Sequence, residues 1–195
     1  KPNIMSLLMN KGVYIVAAKR TPFGAFGGAF KSLTAVELGV VATKAALAGL
    51  ELDPISTAVD ACYFGNVIPS NKDAAYTARH IALQSGCSIE TPALTINRLC
   101  GSGFETIIQA AKSILLNEAQ LVIAGGTEQM SQAPLTVRGD MVRWGTALGT
   151  GLPLTDSLWD GLTDAHSNTP MGVTAGNLAE KYKSSRTQCD EYAIQ

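Results

Sequence analysis

The sequence predicts an α/β fold: a mainly parallel, mixed sheet with helices on both faces. Three observations predict it. Continuous apolar, β-branched runs recur at residues 13–18, 59–64, 92–96 and 121–124. Runs of this kind suit strands buried on both faces, as parallel strands are. Between them, apolar residues return at helical spacing, and glycines close the units, so strand alternates with helix and the crossovers are right-handed.

The first strand is predicted at residues 13–18, followed by a Gly-rich loop from Pro22 to Gly28. Thr34 and Glu37 have the spacing of a capping box, opening a helix marked by Leu38, Val41, Ala42, Ala45 and Ala46 and stopped near Gly49. The second strand, residues 59–64, precedes a helix over 74–84 that ends at Gly86. After the third strand, Ile107, Ile108, Ala111, Ile114 and Leu115 mark one face of a third helix, and Gly125-Gly126 closes the fourth strand.

Beyond residue 130 the character changes. Residues 131–170 are rich in Gly, Pro, Thr and Asp, carry Trp144 and Trp159, and show no period. A stretch of this length without regular elements is functional or disordered, and its aromatic and aliphatic content predicts a packed, functional loop region. A helical pattern resumes at Met171 with Val173, Leu178 and Tyr182. Ser185 and Gln188 form a second capping box, so a further helix starts near Arg186 and is interrupted about two turns later at Gln195. The expected organisation is an incomplete core domain over 1–130 and a truncated second domain over 131–195, in a piece of a longer protein.

Composition narrows the function. With 46% hydrophobic residues, 16% charged residues and a net charge of -1 among 195 residues, the chain has the means to build a core and no electrostatic reason to bind nucleic acid or an anionic membrane. No apolar run approaches the roughly 18 residues of a spanning helix. Cys62, Cys87, Cys100 and Cys189 form no CxxC, and no histidine pair has ligand spacing, so no metal site is expected and the thiols are read as free, in a reducing compartment. Before Glu37 the basic residues Lys1, Lys11, Lys19, Arg20 and Lys31 have no acidic counterpart. A mitochondrial presequence and a folded basic segment both fit that pattern.

The segment from Asn97 to Glu105 (NRLCGSGFE) concentrates the chemistry. A buried strand ends near Ile96, and Ser102 with Glu105 has capping-box spacing, so a helix is expected to start just after Cys100. Gly101 and Gly103 permit a sharp turn and close approach of another group. Cys100 is thereby expected at a helix start and at the carboxyl end of a strand, where open α/β sheets place their sites. An ordinary thiol, with a pKa of about 8.5, is only about 3% thiolate at pH 7. A helix dipole supplies about 0.3–1 kcal/mol, less than one pKa unit at about 1.4 kcal/mol each, so a base or cation must also stand beside a nucleophilic Cys100. His80 falls in a helical pattern that favours a structural role, and His166 falls in a polar loop with nothing placing it near Cys100. On these residues alone Cys100 reads either as a nucleophile or as a small buried hydrophobe, while Cys62, Cys87 and Cys189 suit core or incidental positions.

Several ordered words then match one family. They are AAKRTPFG from Ala17, GNV from Gly65, NRLCGSG from Asn97, GGTEQMS from Gly125, DGLTD from Asp160 and MGVTA from Met171. With these the sequence resembles the thiolases over nearly its whole length. The resemblance implies a βαβαβαββ half of a layered α/β/α/β/α core, with a loop domain inserted over the coenzyme A site. It implies an acyltransferase, without a permanently bound cofactor, that cleaves 3-ketoacyl-CoA with CoA or condenses acetyl-CoA in reverse. Cys100 would carry the acyl group, its backbone N–H contributing to an oxyanion hole. A histidine and a second cysteine from the other half would handle the proton. Leu162 and Met171 would line the pantetheine and acyl pocket, or simply pack the loop domain.

The words NRL, GLT and Pro170-Met171 look more like the mitochondrial type of 3-ketoacyl-CoA thiolase, of fatty-acid oxidation, than the biosynthetic acetoacetyl-CoA type. The latter usually carries a histidine where Pro170 stands, and a Glu is common where Gly176 stands. Losing that polar group should relax restriction to short chains. The resemblance also implies a homodimer or homotetramer and a mitochondrial matrix location, with cytoplasm or peroxisome as alternatives. The competing functions are an acetoacetyl-CoA thiolase (acetyl-CoA acetyltransferase), a ketoacyl synthase or hydroxymethylglutaryl-CoA synthase relative, and a non-catalytic acyl-CoA binder or assembly subunit. These 195 residues alone are expected to be inactive.

Overall fold

The computed structural model describes residues 12–52 and 55–195. Of the basic residues behind the presequence reading, Lys1 and Lys11 lie outside the described residues. The chain divides into two compact units between Ala133 and Pro134.

In the first unit, helix α1 (Ala35–Leu47) opens on the predicted capping box: Glu37 N donates to Thr34 Oγ1 at 3.1 Å and Thr34 N to Glu37 Oε2 at 2.7 Å. A short helix α2 (Ile55–Ala58) leads to strand β1 (Ala61–Gly65). A 3-10 turn, Ala74–Tyr76, runs into helix α3 (Thr77–Gln84), which ends before Gly86 in the left-handed region at φ +100°. Strand β2 (Ala93–Ile96), helix α4 (Ser102–Leu115) and strand β3 (Val122–Gly126) complete the unit's regular core.

The sheet is parallel, in the order β2-β1-β3. In the central strand, Cys62 and Phe64 are buried in a cluster with Val36, Val40, Ala78, Ile81 and Ala82 from α1 and α3. Tyr63, pointing to the other face by the two-residue strand period, hydrogen-bonds Ser113 of α4 at 2.9 Å. Helices therefore cover both faces, as predicted. Small residues let α4 lie close to the sheet: its buried stripe is Ser102, Thr106, Ala110 and Ser113. Thr106 Oγ1 donates to Gly103 O at 2.6 Å and to Gly125 O at 3.1 Å, tying the helix to β3.

Two sequence expectations need correction. Residues 13–18 form no strand; the segment runs without regular pairing, with Tyr14 81% and Ile15 78% exposed. A run apolar on both faces is stable as a strand only where both faces are covered, and here neither is. It instead lines one side of a cleft of about 800 Å³ whose other walls are β3, α1 and α4. The apolar face of α4 is also not the face that meets the sheet. Ile107 and Ile108 remain 49% and 40% exposed, and Ile107, Ala111 and Ile114 line the same cleft.

The second unit is a set of short elements rather than a structureless loop. Strand β4 (Leu135–Thr136) pairs antiparallel with β5 (Thr155–Asp156), with a helical turn α5 (Gly139–Val142) between them. Helix α6 (Ser157–Gly161) is capped by Asp156, which accepts from Leu158 N at 2.9 Å. Strands β6 (Thr163–Asp164) and β7 (Thr169–Pro170) form a hairpin that feeds helix α7 (Met171–Tyr182). Helix α8 (Arg186–Ile194) begins on the predicted Ser185–Gln188 capping box.

Among the described residues no helix is long and apolar enough to cross a membrane.

Candidate active site

The carboxyl ends of the three parallel strands are tied together. Asn66 N donates to Ile96 O at 3.1 Å, joining the ends of β1 and β2, and Thr127 N donates to Gly65 O at 2.9 Å, joining β1 and β3. Cys100 lies beyond the end of β2, exposed, two residues before the first residue of α4. Strand end and helix start thus meet at the thiol, as the sequence predicts.

The turn carrying Cys100 is held by its neighbours. Leu99 adopts φ +49°, the left-handed region, which costs an L residue with a bulky side chain about 1–2 kcal/mol. Leu99 N donates to Asn97 Oδ1 at 3.0 Å, and Gly101 N donates to Arg98 O at 3.1 Å. Ser102 departs from its predicted role. The N-cap of α4 is Gly101, without a side-chain cap. Ser102 instead turns its hydroxyl back onto the turn, accepting from Arg98 N at 2.8 Å and donating to Leu99 O at 2.6 Å. A serine hydroxyl this close to several backbone groups competes among them, and the tight turn offers two partners at once. Glu105, the other half of the expected box, pairs with Arg98 at 2.8 Å and accepts from Gln109 at 2.7 Å. The hydrogen bond from Gln109, followed by the charge of Arg98, holds the Glu105 carboxyl below its ordinary value.

Close packing brings this turn onto the sheet. A Cβ added at Gly65 would lie 2.8 Å from the backbone carbon and the Cβ of Ser102. A Cβ added at Gly126 would lie 3.3 Å from the Cα of Gly103, a tighter approach than most side chains tolerate. Glycine at position 65 is a packing requirement of the central strand end against the start of α4.

Beneath the turn lies a polar group that sequence reasoning missed. Glu128, half-buried, accepts from Val67 N and Ile68 N at 3.1 Å each and from Asn66 Nδ2 at 2.9 Å. Burial pushes its pKa up, while the hydrogen bonds from Ile68, Val67 and Asn66 oppose the shift. Among the described residues it forms no ion pair. Asn97 completes the connection by donating from Nδ2 to Val67 O at 3.3 Å. The available signals were a charged residue just after a glycine-closed strand, and an Asn two places before a turn residue, where an Asx turn forms.

Leu162 and Met171 belong to the second unit. The β6–β7 hairpin brings them together, Met171 N donating to Leu162 O at 3.0 Å. Leu162 is half-buried and Met171 exposed. His80 stacks on Tyr76 with ring centroids 5.7 Å apart, which fits its predicted structural role. His166 sits in the hairpin loop, its backbone N–H bonded to Asp164 at 3.0 Å. Cys62 and Cys87 are buried and Cys189 is exposed.

This fold and site define an α/β chain with an exposed cysteine at the carboxyl end of its parallel sheet. Residues 13–195 match the thiolase N-terminal domain. The chain belongs to the thiolase family. It is 54% identical over 191 residues to human mitochondrial 3-ketoacyl-CoA thiolase, an alignment covering 98% of this chain and 47% of that protein. It is 40% identical over 189 residues to beta-ketothiolase BktB of Cupriavidus necator, covering 96% of this chain and 46% of the relative. The crystal structure of human mitochondrial 3-ketoacyl-CoA thiolase in complex with CoA superimposes with a TM-score of 0.87, over 97% of this chain and 46% of that one. The chain spans about half the length of the curated relatives it matches.

Proposed function

We propose that the protein containing this chain is an acyl-CoA acyltransferase that cleaves 3-ketoacyl-CoA with CoA through an acyl thioester on Cys100. The observation that carries the reading is the exposed Cys100 at the carboxyl end of the sheet, in a turn built to hold it. The Cys100 thiolate attacks the C3 carbonyl and the C2–C3 bond breaks. Acetyl-CoA leaves as its enolate and takes up a proton, and the thiol of CoA then displaces the acyl group and restores Cys100. In reverse, the acetylated cysteine condenses with the enolate of a second acetyl-CoA. The backbone N–H of Cys100, beside the start of α4, is suited to stabilise the oxyanion.

The groups that move the proton belong to the remaining half, as the family resemblance implies, so this chain alone should not turn over. Residues 134–195 act as the loop domain over CoA, with Leu162 and Met171, adjacent across the hairpin, lining the acyl and pantetheine pocket. The similarity to mitochondrial relatives supports a matrix location, and the family supports a homodimer or homotetramer. Acetoacetyl-CoA thiolase is the second reading. It is favoured by 39% identity over 187 residues to an acetyl-CoA acetyltransferase of Schizosaccharomyces pombe, whereas Pro170 in place of a histidine favours longer chains.

Mass spectrometry of the full-length protein after brief exposure to acetyl-CoA tests the reading. A labile acetyl group on the peptide containing Cys100 is expected; acetylation confined to other peptides overturns it. Turnover of acetoacetyl-CoA but of no longer 3-ketoacyl-CoA would decide for the second reading.

A further inference from the structure

We propose that Asn97 and Glu128 are positioning residues for Cys100, acting together as one polar brace beneath the nucleophile turn. This rests on the reading of Cys100 as the group that carries the acyl intermediate.

The brace is continuous. The Glu128 carboxylate holds Val67 N and Ile68 N at 3.1 Å each, and so fixes the segment that leaves β1. Asn66, buried, reinforces that grip, donating from Nδ2 both to Glu128 Oε1 at 2.9 Å and to Thr127 O at 3.0 Å. The opposite edge of the same peptide segment, Val67 O, accepts from Asn97 Nδ2 at 3.3 Å. The other end of that side chain, Asn97 Oδ1, accepts from Leu99 N at 3.0 Å. Leu99 is the residue at φ +49°, immediately before Cys100.

A left-handed leucine persists only where its surroundings over-determine it. Ser102 holds the turn from the helix side, through Leu99 O. Asn97 holds it from the strand side, and Asn97 is itself oriented by a segment that Glu128 pins. Relaxing Leu99 toward the right-handed region would swing both the Cys100 side chain and the Cys100 N–H, the two groups that must converge on one carbonyl. Neither Asn97 nor Glu128 needs to touch substrate for this. A displacement of about 1 Å at the reacting atoms lowers turnover by about a hundredfold, so a brace of this kind is read in turnover rather than in binding.

The test uses the full-length enzyme carrying Asn97→Ala, Glu128→Gln, both together, or Asn97→Asp. Each single variant should lower kcat by about tenfold or more while the KM for the acyl-CoA ester changes less than about twofold. Asn97→Asp keeps the acceptor for Leu99 N and loses the donor to Val67 O, so its kcat should fall between Asn97→Ala and the parent. The double variant should be no slower than the slower single one, because both act through one chain of bonds. Circular dichroism and the unfolding midpoint of Asn97→Ala, whose side chain is exposed, should stay near the parent's. Parent-like kcat in both single variants, a rise in KM at unchanged kcat, or fully additive losses would overturn the brace. Parent-like turnover in the brace variants beside a dead Cys100→Ser would overturn it and leave the nucleophile standing. Retained turnover in Cys100→Ser would overturn both.

Discussion

Gly65 and Ser102 are in contact across the end of the sheet, so closely that a methyl group on Gly65 would lie 2.8 Å from the Ser102 backbone. The contact joins the central strand to the start of the helix behind Cys100. Gly65→Ala must push that helix start away from β1, because the obstacle is backbone and not the end of a flexible side chain. We expect a loss of stability of about 1–3 kcal/mol, read as a lower denaturant midpoint. The full-length enzyme should also lose turnover at unchanged KM.

Ser102→Ala removes a hydroxyl that serves Arg98 N and Leu99 O together. Leu99 O keeps the Ser102 backbone N–H at 3.0 Å, but Arg98 N loses its partner, at a cost of about 1–3 kcal/mol where water does not replace it. Chemical denaturation of the variant against the parent checks this. A difference below about 0.5 kcal/mol would show that the turn does not depend on the hydroxyl.

Cysteine reactivity should divide by position. Under native conditions at neutral pH, iodoacetamide should label Cys100 and Cys189, which are exposed, and spare Cys62 and Cys87, which are buried. Burial pushes the Cys62 thiol up to about 12, with the neighbouring Cys87 adding to the shift. The folded state therefore keeps a proton that the unfolded chain releases near pH 9. The stability from this group is full below about pH 9 and is lost as the pH rises toward about 12. Peptide mapping after labelling and denaturant titrations across that range measure both effects.

Glu128 gives a pH dependence at the acid side. Its carboxyl is raised above 4.5 by burial, so the folded state binds the proton more tightly than the unfolded chain. Its contribution is fully present below about pH 4.5 and declines as the pH rises through the raised folded value. Glu128→Gln should remove that slope from a plot of unfolding free energy against pH. An unchanged slope in the variant would mean that other carboxyls set it.

Local chemistry was legible in the sequence and distant partners were not. The boxes at Thr34 and Ser185 formed as read because each needs only residues three apart. The same signature at Ser102 failed, since a tight turn ahead of the helix offered the hydroxyl nearer partners. Residues 13–18 have the composition of a strand, but a ladder and two covered faces are properties of neighbours. The apolar periodicity of α4 marked a real face, while Thr106, Ala110 and Ser113, too small and polar to stand out, made the contact with the sheet. The placement of Cys100 between a strand end and a helix start was legible, because the apolar run and the paired glycines that set it are neighbours in sequence. Asn97 and Glu128 were not, because their link runs through the main chain of Val67, about thirty residues from one and sixty from the other.

The uncovered isoleucines of α4, together with Phe104, have a practical corollary for anyone handling these residues in isolation. Greasy side chains presented to solvent along a helix recruit one another, so the isolated polypeptide should bind hydrophobic dyes, sediment as a mixture of sizes and accumulate in inclusion bodies when overproduced.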